Sequence, residues 1–246
     1  MGPREFYDTL PSTQERALAL ARAGSPEGAR VVARHQASGR GRLERRWESP
    51  DGGLYCSVVL RRPPDHAGLL PLAVGAQLAA RLHARFALPL ALKWPNDILV
   101  GEAGTPMRKL SGILTDEVAS PTLGRAAVVG IGLNVRLDRS LLPAALRDRV
   151  AALDEFVNPP PPLEEVETVA VDAAVRAAST LRAPGGAATT RELCRSWLYG
   201  VGRAVTVDGR PAGTLESLGE DGELWVTNPP ERTAIWAGDV RVEEPG

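Results

Sequence analysis

Apolar and polar residues follow two different spacings along this chain, and the changes of spacing predict its helices and strands. Apolar positions between residues 17 and 21 recur at helical spacing behind Ser12 and Glu15. This pair predicts a capping box, in which the serine caps the helix and the glutamate reaches back to it. The helix should end near Gly24. A longer helix, rich in alanine and leucine, is predicted from Leu69 to Phe86.

Short apolar runs bounded by glycine, proline and polar residues predict strands. The predicted strands are Val31–Ala33, Leu54–Leu60, Leu90–Trp94, Ile98–Val100, Lys109–Val118 and Ala126–Val135. The segment from Gly101 to Arg108 contains glycine, proline and polar residues, so it is predicted to be a hairpin loop. Together these elements predict an α+β fold with a mixed or antiparallel sheet and helices on one face.

The pattern changes twice towards the C-terminus. Asn158–Pro162 is a stiff, proline-rich connector, and helices are predicted from Glu164 to Leu181 and from Thr190 to Leu198. Beyond Gly200 the chain consists of short apolar segments separated by turn residues, a pattern typical of a small SH3-like β-barrel. We therefore divide the chain into a larger domain, residues 1–199, and a C-terminal barrel, residues 200–246.

Composition indicates a globular protein and argues against two classes of partner. The chain has 246 residues, of which 43% are hydrophobic and 24% charged, and its formal net charge is -1. That net charge argues against a general polyanion binder, and no apolar run is long enough to span a bilayer. The N-terminus lacks the apolar core of a signal peptide, so a cytoplasmic location is expected. Cys56 and Cys194 form neither a metal pattern nor a disulfide framework, and buried thiols are expected.

The stretch from Gln36 to Ser57 is different from these regular elements. It contains the motif Gly39-Arg40-Gly41-Arg42, which combines a backbone able to bend closely around a ligand with forked cations suited to carboxylate and phosphate. The motif predicts a flexible basic loop that closes over a small anion. On composition alone it could equally be a solvated surface loop, and it could also bind nucleic acid. It is not a P-loop, because no Gly-Lys-Ser/Thr sequence ends it.

Three later segments decide between these interpretations: Lys93-Trp94-Pro95-Asn96-Asp97, Lys109-Leu110-Ser111-Gly112-Ile113-Leu114 and Gly130-Ile131-Gly132-Leu133-Asn134-Val135. Together with the Gly-Arg-Gly-Arg loop, and in this order, they resemble the biotin–protein ligases. The resemblance is strong from Ser12 to Arg136 and weak elsewhere. It implies an ATP-dependent enzyme that makes biotinyl-5'-AMP from biotin and ATP, uses Mg²⁺, and transfers biotin to a lysine of a biotin carboxyl carrier protein.

The resemblance also implies roles for individual residues. The biotin subsite is expected to consist of Ser12, Thr13, Gln14, Gln36, Gly39, Arg40, Gly41 and Gly112. The ATP and adenylate subsite is expected to consist of Arg40, Arg42, Trp47, Asn96, Lys109 and Asn134. Lys109 and Arg42 are the expected catalytic cations, and Asp97 is the expected metal ligand. Without the resemblance, Ser12 is only a helix cap, Lys109 a surface lysine and Trp47 an ordinary core residue.

Three positions depart from the family pattern. Gln14 stands where the family often has asparagine, Asp116 where glutamate is common, and Glu44 where a further loop glycine is usual. Glu44 adds a carboxylate near an anion site and is expected to stiffen the loop. Only residues 1–11 precede Ser12, which leaves no room for the DNA-binding helix-turn-helix of some family members, so the ligase-only type is expected.

Two other functions have to be separated from a biotin ligase. A lipoate ligase shares the general fold but is expected to lack this combination of motifs. A nucleic-acid-binding module would need a broad basic, aromatic-rich surface, whereas aromatic residues make up 4% of this chain. We expect no nucleic-acid and no membrane partner; a homodimer is compatible with the sequence. Because all the matched motifs precede Arg136, the C-terminal barrel is expected to be dispensable for biotin binding but needed for transfer.

Overall fold

The computed structural model describes residues 2–102, 104–120 and 124–243, and its main feature is a seven-stranded sheet. The strands are β1 (Arg4–Leu10), β2 (Arg30–Gln36), β3 (Leu54–Arg61), β4 (Leu90–Lys93), β5 (Asp97–Val100), β6 (Arg108–Ser120) and β7 (Gly124–Leu133). They lie in the order β1-β2-β3-β7-β6-β5-β4. Strands β1 and β2 are parallel, and the other neighbouring pairs are antiparallel.

The expected mixed sheet is therefore confirmed, with one strand that the pattern did not predict. Strand β1 is an edge strand, and only Leu10 in it is fully buried. Because most of its side chains are exposed or half-buried, it lacks the apolar run by which the other strands were found. Of the predicted hairpin loop, residue 103 lies outside the described residues.

Helices lie on both faces of this sheet. In chain order they are α1 (Thr13–Arg22), α2 (Leu70–Phe86), the short α3 (Ala144–Arg147), α4 (Leu163–Arg182) and α5 (Gly186–Trp197). Val58 of β3 belongs to the same core cluster as α2 and α4, whereas its neighbour Val59 packs with α1. The expectation of helices on one face holds for α2, α4 and α5, but α1 lies on the opposite face. Strand β3 is buried along nearly its whole length, so both of its faces need cover.

The predicted capping box at the start of α1 is wrong. Ser12 is the N-cap residue in extended backbone conformation, but its side chain accepts no capping hydrogen bond. Its hydroxyl oxygen is buried and has no hydrogen-bond partner among the described residues. Ser12 lines a cavity, so this hydroxyl is available to a ligand.

The C-terminal part forms a second, antiparallel sheet. Its strands are β8 (Ala204–Val207), β9 (Arg210–Leu218), β10 (Leu224–Asn228), β11 (Glu231–Ile235) and β12 (Val240–Val242), in the order β11-β10-β9-β8-β12. Apolar residues of this sheet, including Leu215 and Leu224, join the main core cluster. The indole Nε1 of Trp94 donates a hydrogen bond to the carbonyl oxygen of Gly222 at 2.8 Å. The small sheet is thus packed directly against the larger one.

The two cysteines agree with the expectation of buried thiols. Cys56 and Cys194 are free and buried, and burial raises the pKa of each thiol to about 12. Both thiols therefore stay protonated at neutral pH and are poor nucleophiles. Among the described helices, none has both the length and the apolar character that crossing a bilayer requires.

Candidate active site

The residues predicted from the sequence come from separate parts of the chain and meet around one cavity of about 530 Å³. Those that line it are Ser12, Thr13, Gln14, Gln36, Arg40, Gly41, Arg42, Trp47, Asn96, Asp97, Lys109, Gly112 and Asn134. Gly39 is not among the lining residues. Its carbonyl accepts the backbone N–H of Trp47 at 2.9 Å, and a Cβ at Gly39 would come within 2.5 Å of the Trp47 carbonyl oxygen. Gly39 therefore shapes the base of the loop.

One end of the cavity is polar and formed by the N-terminus of α1. The backbone N–H of Thr13 donates to Oε1 of Gln36 at 2.8 Å, and Nε2 of Gln36 donates to Oγ of Ser49 at 3.0 Å. All three residues are buried. Their polar groups are held in fixed directions without any net charge, as recognition of a neutral polar ring requires.

Two of the departures from the family pattern contact each other here. Nε2 of Gln14 donates to Oδ2 of Asp116 at 3.1 Å and to the carbonyl of Val128 at 3.1 Å. Oε1 of the same amide accepts the hydroxyl of Ser57 at 3.0 Å. The sequence analysis missed Ser57. The available signal was a single serine inside the apolar run of β3, where it is fully buried.

The other end of the cavity carries the cations. Nζ of Lys109 lies 2.7 Å from Oδ1 of Asp97 and 5.1 Å from the ring centre of Trp47. Nη1 of Arg42 lies 3.5 Å from Oδ1 of Asn96, and burial lowers the pKa of the Arg42 guanidinium. Lys109 is therefore not a free surface lysine, and the expected cations converge on the Asn96–Asp97 turn.

Lys93 is a further cation of the cavity that the sequence analysis did not single out. It lines the cavity. Burial lowers the pKa of its ammonium group, and the negative charges of Asp97 and Asp239 offset part of this decrease. Lys93 and Lys109 are the only lysines in the sequence. Each of the two lies in a recognised motif, whereas nearly all other cations of the chain are arginines. This was the signal by which Lys93 could have been found.

The Gly-Arg loop contains two consecutive residues in left-handed backbone conformation. Leu43 has φ 53° and Glu44 has φ 58°, within a short 3₁₀ turn from Arg42 to Glu44. This region favours glycine and costs other residues roughly 1–2 kcal/mol each. Glu44 therefore occupies a backbone conformation that a glycine would adopt without strain.

Trp47 covers the central strands of the sheet. A Cβ added at Gly112 would come within 2.8 Å of the Trp47 ring, and one at Gly132 would come closer still. Only glycine at these two positions lets the indole come this close to β6 and β7. The indole Nε1 is buried without a hydrogen-bond partner among the described residues. Trp47 is thus a half-buried wall of the cavity rather than an ordinary core residue.

Two further walls come from parts of the chain without a recognised motif. Leu137, Leu142 and Leu146 line the cavity from the segment that follows β7. Asn134 holds this segment in place, because its Nδ2 donates to the carbonyl of Ala151 at 2.9 Å. From the C-terminal sheet, Asp239 reaches the loop, where Oδ2 lies 3.7 Å from Nη2 of Arg45. The spacing of residues along the sequence could not predict either wall, since each wall depends on tertiary packing.

Comparison with known proteins gives consistent matches. The model of the biotin/lipoate A/B protein ligase family matches residues 7–134. The bifunctional ligase/repressor BirA of Bacillus spizizenii is 29% identical over 98% of this chain and 75% of the relative. The biotin–[acetyl-CoA-carboxylase] ligase of Paracoccus denitrificans is 36% identical over 50% of this chain and 51% of the relative.

Among solved structures, the biotin protein ligase from Aquifex aeolicus in complex with biotin and ATP has a TM-score of 0.82 with this chain at 26% identity. The alignment covers 100% of both chains, so the small C-terminal sheet is included in the likeness. Since the family model also spans more than half of the 246 residues, the chain belongs to the biotin/lipoate A/B protein ligase family.

Proposed function

We propose that this chain is an ATP-dependent biotin ligase that makes biotinyl-5'-AMP and transfers biotin to a lysine of a biotin carboxyl carrier protein. The observation that carries the proposal is the two-ended cavity: a neutral polar end at the start of α1 is continuous with a cationic end around Lys109 and Arg42. The names of the Paracoccus relative and of the Aquifex structure, both biotin ligases, support biotin over lipoate. The Paracoccus relative's name also supports a carboxylase as the acceptor.

The polar end suits the ureido ring of biotin, which presents one carbonyl oxygen and two N–H groups. Ser12 offers a buried hydroxyl that has no hydrogen-bond partner in the part of the chain that the structure describes, and Gln36 can both donate and accept. Gly112 and Gly132 let the Trp47 indole lie close to the strands, and the indole gives this part of the cavity an apolar wall for the ring and chain of biotin.

The first step joins two anions, so it needs cations. A biotin carboxylate oxygen forms a bond to the α-phosphorus of ATP, the bond to the β-phosphate oxygen breaks, and pyrophosphate leaves. Lys109 and Arg42 are our candidates for offsetting the charge on the phosphate oxygens, and Arg40 lines the same cavity. In the second step an acceptor lysine nitrogen bonds to the biotinyl carbonyl carbon, AMP leaves, and the amine gives up one proton.

A magnesium ion fits the cationic end only together with the nucleotide. Within the described residues, no group of three or more histidine, cysteine, aspartate or glutamate side chains could hold a metal. Mg²⁺ is commonly held by one or two carboxylates plus substrate phosphates, and Asp97 supplies one carboxylate that lines the cavity. Held by Asp97 and ATP, the ion would offset phosphate charge. Because the reaction consumes ATP, we propose a cytoplasmic location.

Biotin-dependent exchange of labelled pyrophosphate into ATP tests the first step. We expect exchange with biotin, and none with lipoate in its place. Transfer is tested by incubating the purified chain with biotin, ATP-Mg²⁺ and a purified biotin carboxyl carrier domain, with a carrier whose acceptor lysine is replaced by arginine as the matched control. Exchange that occurs with lipoate but not with biotin would identify the chain as a lipoate ligase instead. Exchange without labelling of the carrier would leave a biotin-adenylating enzyme with another acceptor.

A further inference from the structure

A chain of hydrogen bonds runs from Asp116 of β6 to Thr13, which lines the cavity. Its links are Asp116–Gln14 at 3.1 Å, Gln14–Ser57 at 3.0 Å and Ser57–Thr13 at 2.9 Å. Gln14, Ser57 and Thr13 are buried. Because these residues are buried, the direction of each link follows from which atoms can donate and which can only accept.

The amide of Gln14 has one allowed orientation. Its Nε2 lies within 3.1 Å of both the Val128 carbonyl and the Asp116 carboxylate, and both of those groups only accept. The two N–H bonds of Gln14 are therefore used, and its Oε1 must face Ser57. The single hydroxyl hydrogen of Ser57 goes to this oxygen.

The orientation of Ser57 determines that of Thr13. Oγ1 of Thr13 lies 2.9 Å from Oγ of Ser57, and Ser57 has no hydrogen left to give, so Thr13 donates. If Thr13 turned its hydrogen towards the cavity, two oxygen lone pairs would face each other across this short distance. Oε1 of Gln36 accepts the Thr13 backbone N–H and, with its second lone pair, lies 3.1 Å from Oγ1 as an acceptor for the hydroxyl, so a turn in that direction also keeps the hydrogen within the protein. The hydroxyl hydrogen of Thr13 is thus held within the protein, and only its lone pairs are open to a ligand.

We propose that Ser57 and Gln14 are positioning residues that make Thr13 an obligatory hydrogen-bond acceptor in the ligand site. This inference rests on the proposed function, because the ligand group it selects is then a ureido N–H of biotin. Ser12, whose buried hydroxyl has no partner among the described residues, is the neighbouring group that can still donate to the ureido oxygen. Gln14 acts through Ser57, since both of its hydrogens and its oxygen are engaged within the protein.

The test uses ligands that change a donor into an acceptor. In two isomeric analogues of biotin, one or the other ureido N–H is replaced by a ring oxygen. Calorimetric Kd values for biotin and for both analogues are measured with wild type and with Ser57→Ala. Wild type should reject the isomer that places oxygen against Thr13 by about 100-fold or more, because an acceptor then meets an acceptor.

In Ser57→Ala the repulsion that held the Thr13 hydrogen is removed, so the hydroxyl can turn towards the analogue. Biotin should bind roughly 3- to 10-fold more weakly, the usual effect of one lost hydrogen bond, while the preference for biotin over that analogue should fall by about 10-fold or more. Gln14→Met should also lower the ratio of the analogue's Kd to that of biotin. The double variant should lower this ratio no further, because both changes break the same chain of hydrogen bonds.

Ser111→Ala is the matched control, since it also removes a buried serine hydroxyl, one that donates to the Gly132 carbonyl at 2.8 Å. In this variant the ratio of the analogue's Kd to that of biotin should equal the wild-type ratio. A merely structural role of Ser57 would weaken biotin and analogue equally, and an unchanged ratio in Ser57→Ala would overturn the proposal. Failure of wild type to bind biotin at all would instead refute the proposed function, and the inference with it.

Discussion

The ammonium nitrogen of Lys109 lies 2.7 Å from Oδ1 of Asp97, so the expected phosphate ligand and the expected metal ligand are each other's partner in this structure. Both groups are partly shielded from solvent, with side-chain exposures of 31% and 17%. Binding of ATP with Mg²⁺ would give each a new partner of opposite charge, the phosphate for Lys109 and the ion for Asp97. The pair thus keeps both charges compensated before and after the nucleotide binds.

The first prediction concerns Lys109→Met, which keeps the apolar stem of the side chain and removes its charge. We expect biotin-dependent ATP–pyrophosphate exchange to fall by about 10²- to 10³-fold, the usual effect of removing one group that stabilises developing charge. Calorimetric affinity for biotin alone should stay within a few-fold of wild type. The double variant Lys109→Met/Asp97→Asn serves as the control for an uncompensated carboxylate. Exchange close to the wild-type rate in Lys109→Met would remove Lys109 from the reaction.

The second prediction compares Glu44→Gly with Glu44→Ala. Both variants remove the same carboxylate, but only glycine relieves the left-handed conformation at φ 58°. A difference of about 1 kcal/mol, at the lower end of the usual penalty, corresponds to roughly fivefold in an equilibrium. We expect biotinyl-5'-AMP to dissociate about 3- to 10-fold more slowly from the glycine variant than from the alanine variant, as measured by stopped-flow fluorescence. Equal dissociation rates would mean that the loop leaves this conformation when the ligand is bound.

Sequence motifs identified the chemistry better than they identified the walls that surround it. The four motifs bring their own chemical groups, so Lys109, Asp97 and Arg42 could be assigned before their positions were known. Ser57 could not, because a serine gains this role only from Gln14 on a different element. The hydrophobic pattern also could not predict on which face of the sheet α1 lies. An apolar run such as Leu54–Leu60 shows that a strand is buried but not which helix covers which face.

The third prediction concerns the C-terminal sheet, whose attachment argues against the expectation that it is dispensable for biotin binding. Its apolar residues share one cluster with α2 and α4, so removal of residues 200–246 would expose part of the main core. We expect the truncated chain to lose cooperative thermal unfolding and, with it, biotin binding. A truncated chain that unfolds cooperatively and binds biotin would restore the original expectation.

A milder change separates this structural role from an effect on catalysis. Trp94→Phe removes the indole donor to Gly222 from the residue just before the Pro95–Asn96–Asp97 turn. We expect KM for ATP to rise by about 3- to 10-fold, as for one lost hydrogen bond, while KM for biotin is unchanged. Trp225→Phe is the matched control, because its indole donates to Glu223 within the small sheet. Equal effects of the two variants on KM for ATP would remove the link between Trp94 and the turn.

The fourth prediction concerns acid stability. Burial by itself would raise the pKa of Glu167, but the hydrogen bonds from Arg4 and Arg30 outweigh burial and lower that pKa below its ordinary value of 4.5. A lowered folded-state pKa contributes stability above the unfolded-state pKa, and this contribution is lost as the pH falls through the folded-state value. In wild type, the free energy of unfolding, measured with urea, should therefore decrease as the pH is lowered from about 4.5.

Glu167→Gln should remove part of this pH dependence. It should also lower stability at pH 7 by about 3–5 kcal/mol, because Arg30, which is 13% exposed, would be left without its carboxylate. Glu216→Gln is a suitable control, since Glu216 forms a comparable ion pair with Arg232 on the surface of the small sheet. The same pH profile in Glu167→Gln as in wild type would show that other carboxylates cause the acid sensitivity.

The last prediction concerns Arg42→Gly. Arg42 is half-buried at the cationic end of the cavity, with Nη1 3.5 Å from Asn96. Losing a charge-assisted contact to a phosphate costs about 1.5–3 kcal/mol, or roughly 10- to 150-fold faster escape of biotinyl-5'-AMP if the whole loss falls on dissociation. The variant should still make the adenylate, because Lys109 and Arg40 remain. The released mixed anhydride should then acylate exposed amines of bystander proteins.

The measurement is biotin labelling of an unrelated lysine-rich protein in the presence of biotin and ATP-Mg²⁺. Arg46→Gly is the control, since it adds the same flexibility to the loop but removes an exposed arginine that contacts Ala37 and Glu48. Labelling by Arg42→Gly should exceed that by wild type and by the control, and self-labelling should be confined to Lys93, Lys109 and the N-terminal amine, because the chain has no other lysine. If adenylate synthesis is intact and all three proteins label the bystander equally, Arg42 does not retain the intermediate.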